Sequence, residues 1–163
     1  TILVNNAGIT GFCRFEEITE EMMDRMMAIN IKGPFLCTQA IIPDMVAAHW
    51  GRIVNISSSS AQTGAPMMAH YATSKGGVIA FTKTLAREYA EKGITVNNIP
   101  PGFVDTPMLR ASPVDVDAQA AQSPMKRAGS PEDIAAACSY LVSEAAGYVT
   151  GHTLGVNGGR VMP

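Results

Sequence analysis

Tyr71 and Lys75 are a pair of side chains whose types and spacing could carry out acid–base chemistry. On a helix, residues four apart lie on the same face. A free tyrosine has a pKa of about 10, so it is a poor proton donor or acceptor near neutral pH, and a nearby ammonium lowers that pKa. The spacing therefore predicts a tyrosine tuned by a lysine for proton transfer. Alone, the pair is weak support for catalysis, because lysines are common on exposed helix faces.

Other polar features precede this pair. Ser58 lies 13 residues before Tyr71, where a predicted strand opens into a loop. A carbonyl held there could accept a hydrogen bond from Ser58 and a proton from Tyr71. Residues 5–8, Asn-Asn-Ala-Gly, close a short apolar strand, and Asn30 ends the helix that follows. We expect these features to meet at one edge of a parallel sheet, where α/β proteins bind their ligands.

The elements that must position these residues alternate short apolar runs with amphipathic stretches. Strands are expected at residues 2–4, 52–56, 94–99 and 153–156. Helices are expected at about 20–30, 34–49 and 70–91, the first opened by Thr19 as N-cap, with a last one opened by Ser130. This order predicts an α/β fold, a Rossmann-like doubly wound parallel sheet with both faces covered. Pro43 should kink or break its helix. Residues 100–125 are expected to form a long irregular loop.

Composition indicates one soluble, folded domain. The chain has 163 residues, 47% of them hydrophobic and 16% charged, with a formal net charge of −2. That charge is too small to indicate a nucleic-acid partner. No apolar run is long enough to span a bilayer, and no basic leader is visible. The three cysteines lack metal-ligand spacing, so we expect reduced thiols in a cytoplasmic protein with no metal site.

Taken together, in this order and at these spacings, the motifs resemble those of the short-chain dehydrogenase/reductase family over essentially the whole chain. The matching segments are Asn-Asn-Ala-Gly at 5–8, Asn30, Ser58, the Tyr-x-x-x-Lys of Tyr71 and Lys75, the Pro-Gly turn with its threonine at 101–106, Gly-Ser-Pro-Glu-Asp at 129–133, Val-Thr-Gly at 149–151 and Val-Asn-Gly-Gly at 156–159. Each motif is weak to moderate alone, whereas the ordered set is a strong match.

The resemblance implies hydride transfer between a nicotinamide cofactor, NAD or NADP, and a carbonyl or secondary alcohol. In the implied roles, Tyr71 transfers the proton, and Lys75 lowers the Tyr71 pKa and holds the nicotinamide ribose. Ser58 polarises the substrate oxygen, and Asn30 holds a water that links Lys75 to solvent. The other implied cofactor-binding residues are Asn6, Ala7 and Gly8 on the adenosine side and Pro101, Gly102, Val104 and Thr106 on the nicotinamide side.

One part of the family's pattern lies outside these 163 residues. The glycine-rich turn that places the pyrophosphate on a helix N-terminus is not among them, nor is the residue that selects NAD or NADP. We therefore expect residues 1–163 to be the C-terminal catalytic portion of one Rossmann-fold domain, preceded by a mononucleotide-binding part of roughly 80 residues.

Substrate and assembly are less closely defined by the sequence. Residues 108–125 should contact the substrate, and Leu109, Val114, Val116 and Met125 favour an apolar one, such as an acyl thioester, a steroid or a simple alcohol. The resemblance implies a homotetramer formed through the helices at 34–49 and 70–91 and the final strand. A non-catalytic binding or scaffold protein with this fold, or an inactive fragment, are the alternatives.

Overall fold

The computed structural model describes residues 1–162 and contains a three-stranded parallel sheet. Its strands are β1 (Ile2–Asn5), β2 (Gly51–Ile56) and β3 (Ile94–Ile99), arranged in the order β1-β2-β3. Leu3 pairs with Ile53, and Ile53 pairs with Val96. The carboxyl ends of the three strands therefore share one edge of the sheet.

Within the described residues 1–162, seven α-helices connect or follow the strands. They are α1 (Glu20–Met27), α2 (Gly33–Ala47), α3 (Ser60–Thr63), α4 (Ala69–Tyr89), α5 (Pro107–Arg110), α6 (Val116–Gln122) and α7 (Pro131–Val142). A π-helical segment, Ala28–Lys32, joins α1 directly to α2, and 3-10 turns lie at Phe15–Glu17, Ala90–Lys92 and Glu144–Ala146. Within residues 1–162, no helix combines the length and the apolar character needed to cross a membrane.

Local capping explains where two of the helices begin. The Thr19 hydroxyl accepts a hydrogen bond from the Met22 amide at the start of α1. Before α7, Ser130 and Asp133 form a reciprocal capping box, with Pro131 in the first turn. These side chains satisfy backbone N–H groups that have no partner inside a helix. Both starts were predicted from the sequence and are confirmed.

Helices cover both faces of the sheet, because alternate strand residues point to opposite sides. Ile53, Ile94 and Val96 are buried on one face in a cluster with Met45 of α2 and Ala86 of α4. On the other face, the buried residues of the cluster are Val54, Ile99 and Leu141 of α7. The predicted α/β, Rossmann-like parallel sheet is thus confirmed.

A buried hydrogen-bond network ties the sheet to α2 and α4. The Asn5 amide nitrogen donates to Asn55 Oδ1 at 2.7 Å and to Thr38 Oγ1 at 3.2 Å. Asn55 Nδ2 in turn donates to Thr82 Oγ1 at 2.9 Å. Because buried polar groups are costly unless paired, this network fixes the positions of the elements it joins. It anchors α4, the helix that carries Tyr71 and Lys75.

A break at Pro43, a long irregular loop and a fourth strand were expected, and these three expectations were wrong. Helix α2 continues through Pro43 without a break, because Met45 and neighbouring apolar residues bury themselves against the core on either side of it. Residues 100–125 contain α5 and α6, capped by Thr106 and Asp115. Residues 153–156 form isolated bridges to Asn98 and Pro101 instead of a strand.

Replacing Gly93 by alanine should destabilise the fold strongly. Gly93 has a φ of 76°, and an added Cβ would overlap the His49 carbonyl oxygen. The backbone strain and the clash together should lower the free energy of unfolding by about 3 kcal/mol, measured by denaturant unfolding. Gly158 is the control, since its φ is 63° but an added Cβ meets only ordinary contacts. Gly158→Ala should cost about 1 kcal/mol, and equal losses would contradict the clash.

Candidate active site

Ser58, Tyr71 and Lys75 line one cavity of about 1250 Å³ at the carboxyl edge of the sheet. Ser58 follows the end of β2, while Tyr71 and Lys75 lie in the first two turns of α4. The predicted convergence of these three residues is therefore present. Large concave cavities of this kind, with a few polar groups among apolar walls, are the usual form of a ligand site.

The Ser58 hydroxyl is held by the turn that follows it. Its Oγ accepts hydrogen bonds from the Ser60 hydroxyl at 2.8 Å and from the Ser60 amide at 3.2 Å. The segment itself is fixed to the sheet edge, because the Ser59 amide donates to the Pro101 carbonyl at 2.9 Å. Ser58 thus presents an oriented hydroxyl to the cavity, supported by Ser60.

The pKa of Tyr71 is raised above its ordinary value of about 10, and the lowering by Lys75 that the resemblance implies stays a prediction. Burial of the phenol is the main cause, and the nearby Ser58 hydroxyl acts in the opposite direction. In the structure, the Ser58 hydroxyl is hydrogen-bonded to Ser60. The Lys75 ammonium lies 6.0 Å from the centre of the Tyr71 ring, so the loss of water around the phenol decides the direction.

Lys75 is a buried lysine whose ammonium is anchored to the sheet. The side chain is 6% exposed, and Nζ donates to the Ile56 carbonyl, the last of β2, at 3.0 Å. Burial lowers the pKa of Lys75 to about 8, because a charged amine loses its hydration there. A substantial neutral fraction of Lys75 is therefore present near pH 8.

Asn30 lies behind the cavity wall and does not line it. It is 1% exposed, within the π-helical segment Ala28–Lys32, and such segments are frequent at functional sites. Its Oδ1 accepts from the Ile9 amide at 2.9 Å, and its Nδ2 donates to the Ile9 carbonyl and to Ser74 Oγ, both at 3.0 Å. The side chain thus holds the loop after β1 against α4, and the water-holding role that the resemblance implies stays a prediction.

Most of the residues expected to contact a cofactor line the same cavity. They are Asn6, Gly8, Pro101, Gly102, Val104 and Thr106, whereas Ala7 is exposed outside its lining. A Cβ added to Gly8 would lie 3.1 Å from Asn30 Oδ1 and 3.2 Å from Lys75 Nζ. The backbone at Gly8 can approach Lys75 closely only because this residue has no side chain.

The segment expected to contact the substrate only partly faces the cavity. Met108, Leu109 and Val114 line it, at and just after α5. Val116, by contrast, is 4% exposed and belongs to the core, and Met125 lines a second, smaller cavity. Pro113 lines the cavity too, and so do the polar residues Ser112, Asp115 and Gln119, so the wall here is only partly apolar.

Sequence reasoning missed two supporting serines. One is Ser60, whose hydroxyl donates to Ser58 Oγ and orients it. Ser74, fully buried, donates to the Tyr71 carbonyl at 2.7 Å and accepts from Asn30 at 3.0 Å. A serine three residues after Tyr71 on the same helix could have been expected to bond back to its carbonyl. No group of three or more potential metal ligands is found among residues 1–162.

A family model described as Enoyl-(Acyl carrier protein) reductase matches residues 1–160. The chain therefore belongs to the short-chain dehydrogenase/reductase family. Nodulation protein G of Azospirillum brasilense is 48% identical over 159 residues, which are 97% of this chain and 65% of the relative. Acetoacetyl-CoA reductase of an Acinetobacter strain is 45% identical over 162 residues, 99% of this chain and 65% of that enzyme.

Solved structures give the same fold. A putative gluconate dehydrogenase from Agrobacterium tumefaciens has a TM-score of 0.93 and 31% identity, and the match covers 99% of this chain and 66% of the other. A structure described as ElxO with NADP bound has a TM-score of 0.90 and 32% identity, covering 97% and 66% of the two chains. The chain spans about 65% of the length of the first curated relatives.

Replacing Lys75 by methionine should stabilise the protein at neutral pH. The folded pKa of Lys75, about 8, is below its ordinary 10.5, so the charged form costs about 3 kcal/mol below pH 8 and nothing well above pH 10.5. Allowing for the lost bond to Ile56, we expect a gain of about 2 kcal/mol at pH 7. The gain should shrink between pH 8 and 10.5 in denaturant unfolding.

Lys83→Met is the control for this measurement, because Lys83 is an exposed lysine of the same helix. Its replacement should change the free energy of unfolding by no more than about 0.5 kcal/mol at either pH. A loss of stability in Lys75→Met at pH 7, or a difference independent of pH, would contradict the burial of a charged Lys75.

Proposed function

We propose that this chain carries the catalytic part of an NAD(P)-dependent reductase that acts on a carbonyl group. The observation that carries the proposal is the shared cavity of Ser58, Tyr71 and Lys75 at the carboxyl edge of the sheet. A hydroxyl, a phenol and an amine facing one cavity supply a hydrogen-bond donor, a proton donor and a cation around a single polar atom of a ligand.

The residues present fit the nicotinamide end of a dinucleotide. Gly8 leaves room beside Lys75, where a Cβ would lie 3.2 Å from Nζ, and Asn6, Gly102 and Thr106 line the same space. We propose that Lys75 holds the ribose hydroxyls and that the backbone of the Pro101–Gly102 turn contacts the carboxamide. The bound cofactor supplies the hydride, as nicotinamides do. A solved relative of the fold is described with NADP bound, which favours NADP over NAD.

A protonated Tyr71 suits the reduction of a carbonyl group. Burial holds the pKa of Tyr71 above 10, so the phenol carries its proton at neutral pH. A protonated Tyr71 can donate that proton to a carbonyl oxygen, while Ser58 donates a second hydrogen bond to the same oxygen. We propose Asn30 as a positioning residue, since its amide fixes Ile9 and Ser74. Oxidation of an alcohol would first require the phenol to lose its proton.

We propose a 3-oxoacyl thioester as the substrate. Two of the relatives are named for such compounds. One is the acetoacetyl-CoA reductase of Acinetobacter. The other is a 3-oxoacyl-[acyl-carrier-protein] reductase of Staphylococcus epidermidis, which is 43% identical over 162 residues, and these residues cover 66% of its length. Met108, Leu109 and Val114 give the cavity an apolar wall that suits an acyl chain.

We propose that residues 1–163 act as the catalytic portion of a single Rossmann-type domain, in a cytoplasmic homotetramer. Cys13, Cys37 and Cys138 are all free thiols, which suits a reducing compartment. On α2, Phe35 and Leu36 are 48% and 49% exposed. Large apolar side chains exposed side by side are typical of subunit interfaces.

Tyr71→Phe should abolish carbonyl reduction while the fold survives. The substitution removes only the phenolic proton donor, and general acids contribute about 10²- to 10⁴-fold to rate. We expect kcat with NADPH and acetoacetyl-CoA to fall by about that factor in the complete protein, with an unchanged melting temperature. Tyr140→Phe is the control, because Tyr140 is 46% exposed on α7. Normal turnover by Tyr71→Phe would overturn the proposed chemistry.

Leu36→Glu should dissociate the proposed tetramer. A charge at the centre of an apolar contact must lose its hydration when subunits associate. Light scattering coupled to size exclusion should give four times the subunit mass for the unmodified protein and a smaller assembly for Leu36→Glu. Asp24→Lys, a charge change at an exposed position of α1 outside the proposed interface, is the comparison. A monomeric unmodified protein would refute the assembly and leave the reductase proposal standing.

A further inference from the structure

Arg160 stands where the site cavity meets a second cavity of about 420 Å³. Four residues line both cavities: Phe103, Gln119, Ile134 and Arg160. The guanidinium carbon of Arg160 lies 4.2 Å from the centre of the Phe103 ring, and Nη1 donates to Gln119 Oε1 at 3.1 Å. An aromatic face and a neutral amide thus orient this cation at the boundary between the two cavities.

The charge of Arg160 is not neutralised by a carboxylate, in contrast to two other arginines near the site. Arg110 pairs with Asp105 at 2.7 Å, and Arg127 pairs with Asp133 at 2.6 Å. Across residues 1–162, Arg160 makes no ion pair of this kind. Its guanidinium therefore keeps N–H groups for a ligand, and it does so at the rim of a cavity with largely apolar walls.

Few other charged side chains line the site cavity. They are Lys75, whose ammonium is bound to the Ile56 carbonyl, and Asp115, whose carboxylate accepts from the Ala118 amide at the start of α6. Lys75 lies beside Tyr71 at the reacting end, where the nicotinamide ribose is proposed to bind, and Asp115 carries a negative charge that does not suit an anion. Arg160 is left as the lining cation that an anionic group of a bound molecule can engage.

We propose that Arg160 binds the phosphate of the pantetheine arm that carries the acyl group of the substrate, an inference that rests on the proposed function. The acyl end of such a thioester faces Tyr71, and its arm leaves the cavity past Phe103 and Gln119. Arginine binds phosphate oxygens with two parallel N–H groups, and stacking on a ring restricts it beforehand. Coenzyme A and acyl carrier protein both present this phosphopantetheine chemistry, so Arg160 selects thioesters over free ketones.

The direct test compares 4′-phosphopantetheine with pantetheine, two ligands that differ by one phosphate. Titration calorimetry on the complete protein should show binding of 4′-phosphopantetheine about tenfold tighter than that of pantetheine. Arg160→Gln should reduce this preference to about twofold or less, and Arg160→Lys should retain part of it. Equal affinities in the unmodified protein, or a preference unchanged in Arg160→Gln, would overturn the proposal.

Lys92→Gln is the matched control. Lys92 is also a cation placed over an aromatic ring, 4.9 Å from the centre of Tyr89, but it precedes β3 at the opposite edge of the sheet. Its replacement should leave the phosphate preference unchanged. If Lys92→Gln lowers the preference as much as Arg160→Gln does, the effect is general electrostatic attraction and the subsite is wrong.

Kinetics then identify the source of the phosphate and separate the two proposals. Arg160→Gln should lower kcat/KM about tenfold for acetoacetyl-CoA, for acetoacetyl-acyl carrier protein, or for both. The thioester whose kcat/KM falls is the one whose phosphate Arg160 binds. It should leave acetoacetyl-N-acetylcysteamine, which has no phosphate, unaffected. Reduction of all three thioesters with no effect of Arg160→Gln refutes the subsite alone. An Arg160-dependent phosphate preference without any thioester reduction refutes the reductase function alone.

Discussion

The burial of Lys75 at the end of β2 is the constraint on which the rest of the site depends. Its ammonium donates to the Ile56 carbonyl at 3.0 Å with only 6% of the residue exposed. An ammonium loses much of its hydration in such a place, and burial lowers its pKa to about 8. The surrounding fold must hold α4 against the sheet edge firmly enough to maintain that unfavourable position.

The polar contacts beneath the site provide that support. The Asn5–Asn55–Thr82 network fixes α4 to two strands. Nearer the site, Asn30 and Ser74 connect the loop after β1 to the Tyr71 carbonyl. Each of these groups is buried and paired, so displacing α4 would leave several of them without partners at once. The site is therefore rigid where proton transfer is proposed, and the burial of Tyr71 raises its pKa.

Local sequence patterns were sufficient for most of the fold and for bringing Ser58, Tyr71 and Lys75 together. Apolar runs marked the three strands, and Thr19 and Ser130 marked two helix starts, because these patterns act through neighbouring residues. Properties set by distant packing could not be predicted in this way. The continuation of α2 through Pro43 depends on burial against the core, and the direction of the Tyr71 pKa shift depends on how completely the fold excludes water. The position of Arg160 over Phe103 joins segments far apart in the chain.

The most direct test of the central claim follows the reducing hydrogen. The complete protein is incubated with NADPH deuterated at nicotinamide C4, together with either acetoacetyl-CoA or crotonyl-CoA, and the products are analysed by mass spectrometry. The account predicts 3-hydroxybutyryl-CoA with one deuterium on C3, formed only while Tyr71 is present, and no reduction of crotonyl-CoA. Deuterium appearing in butyryl-CoA instead, or the same yield of 3-hydroxybutyryl-CoA from Tyr71→Phe, would contradict it.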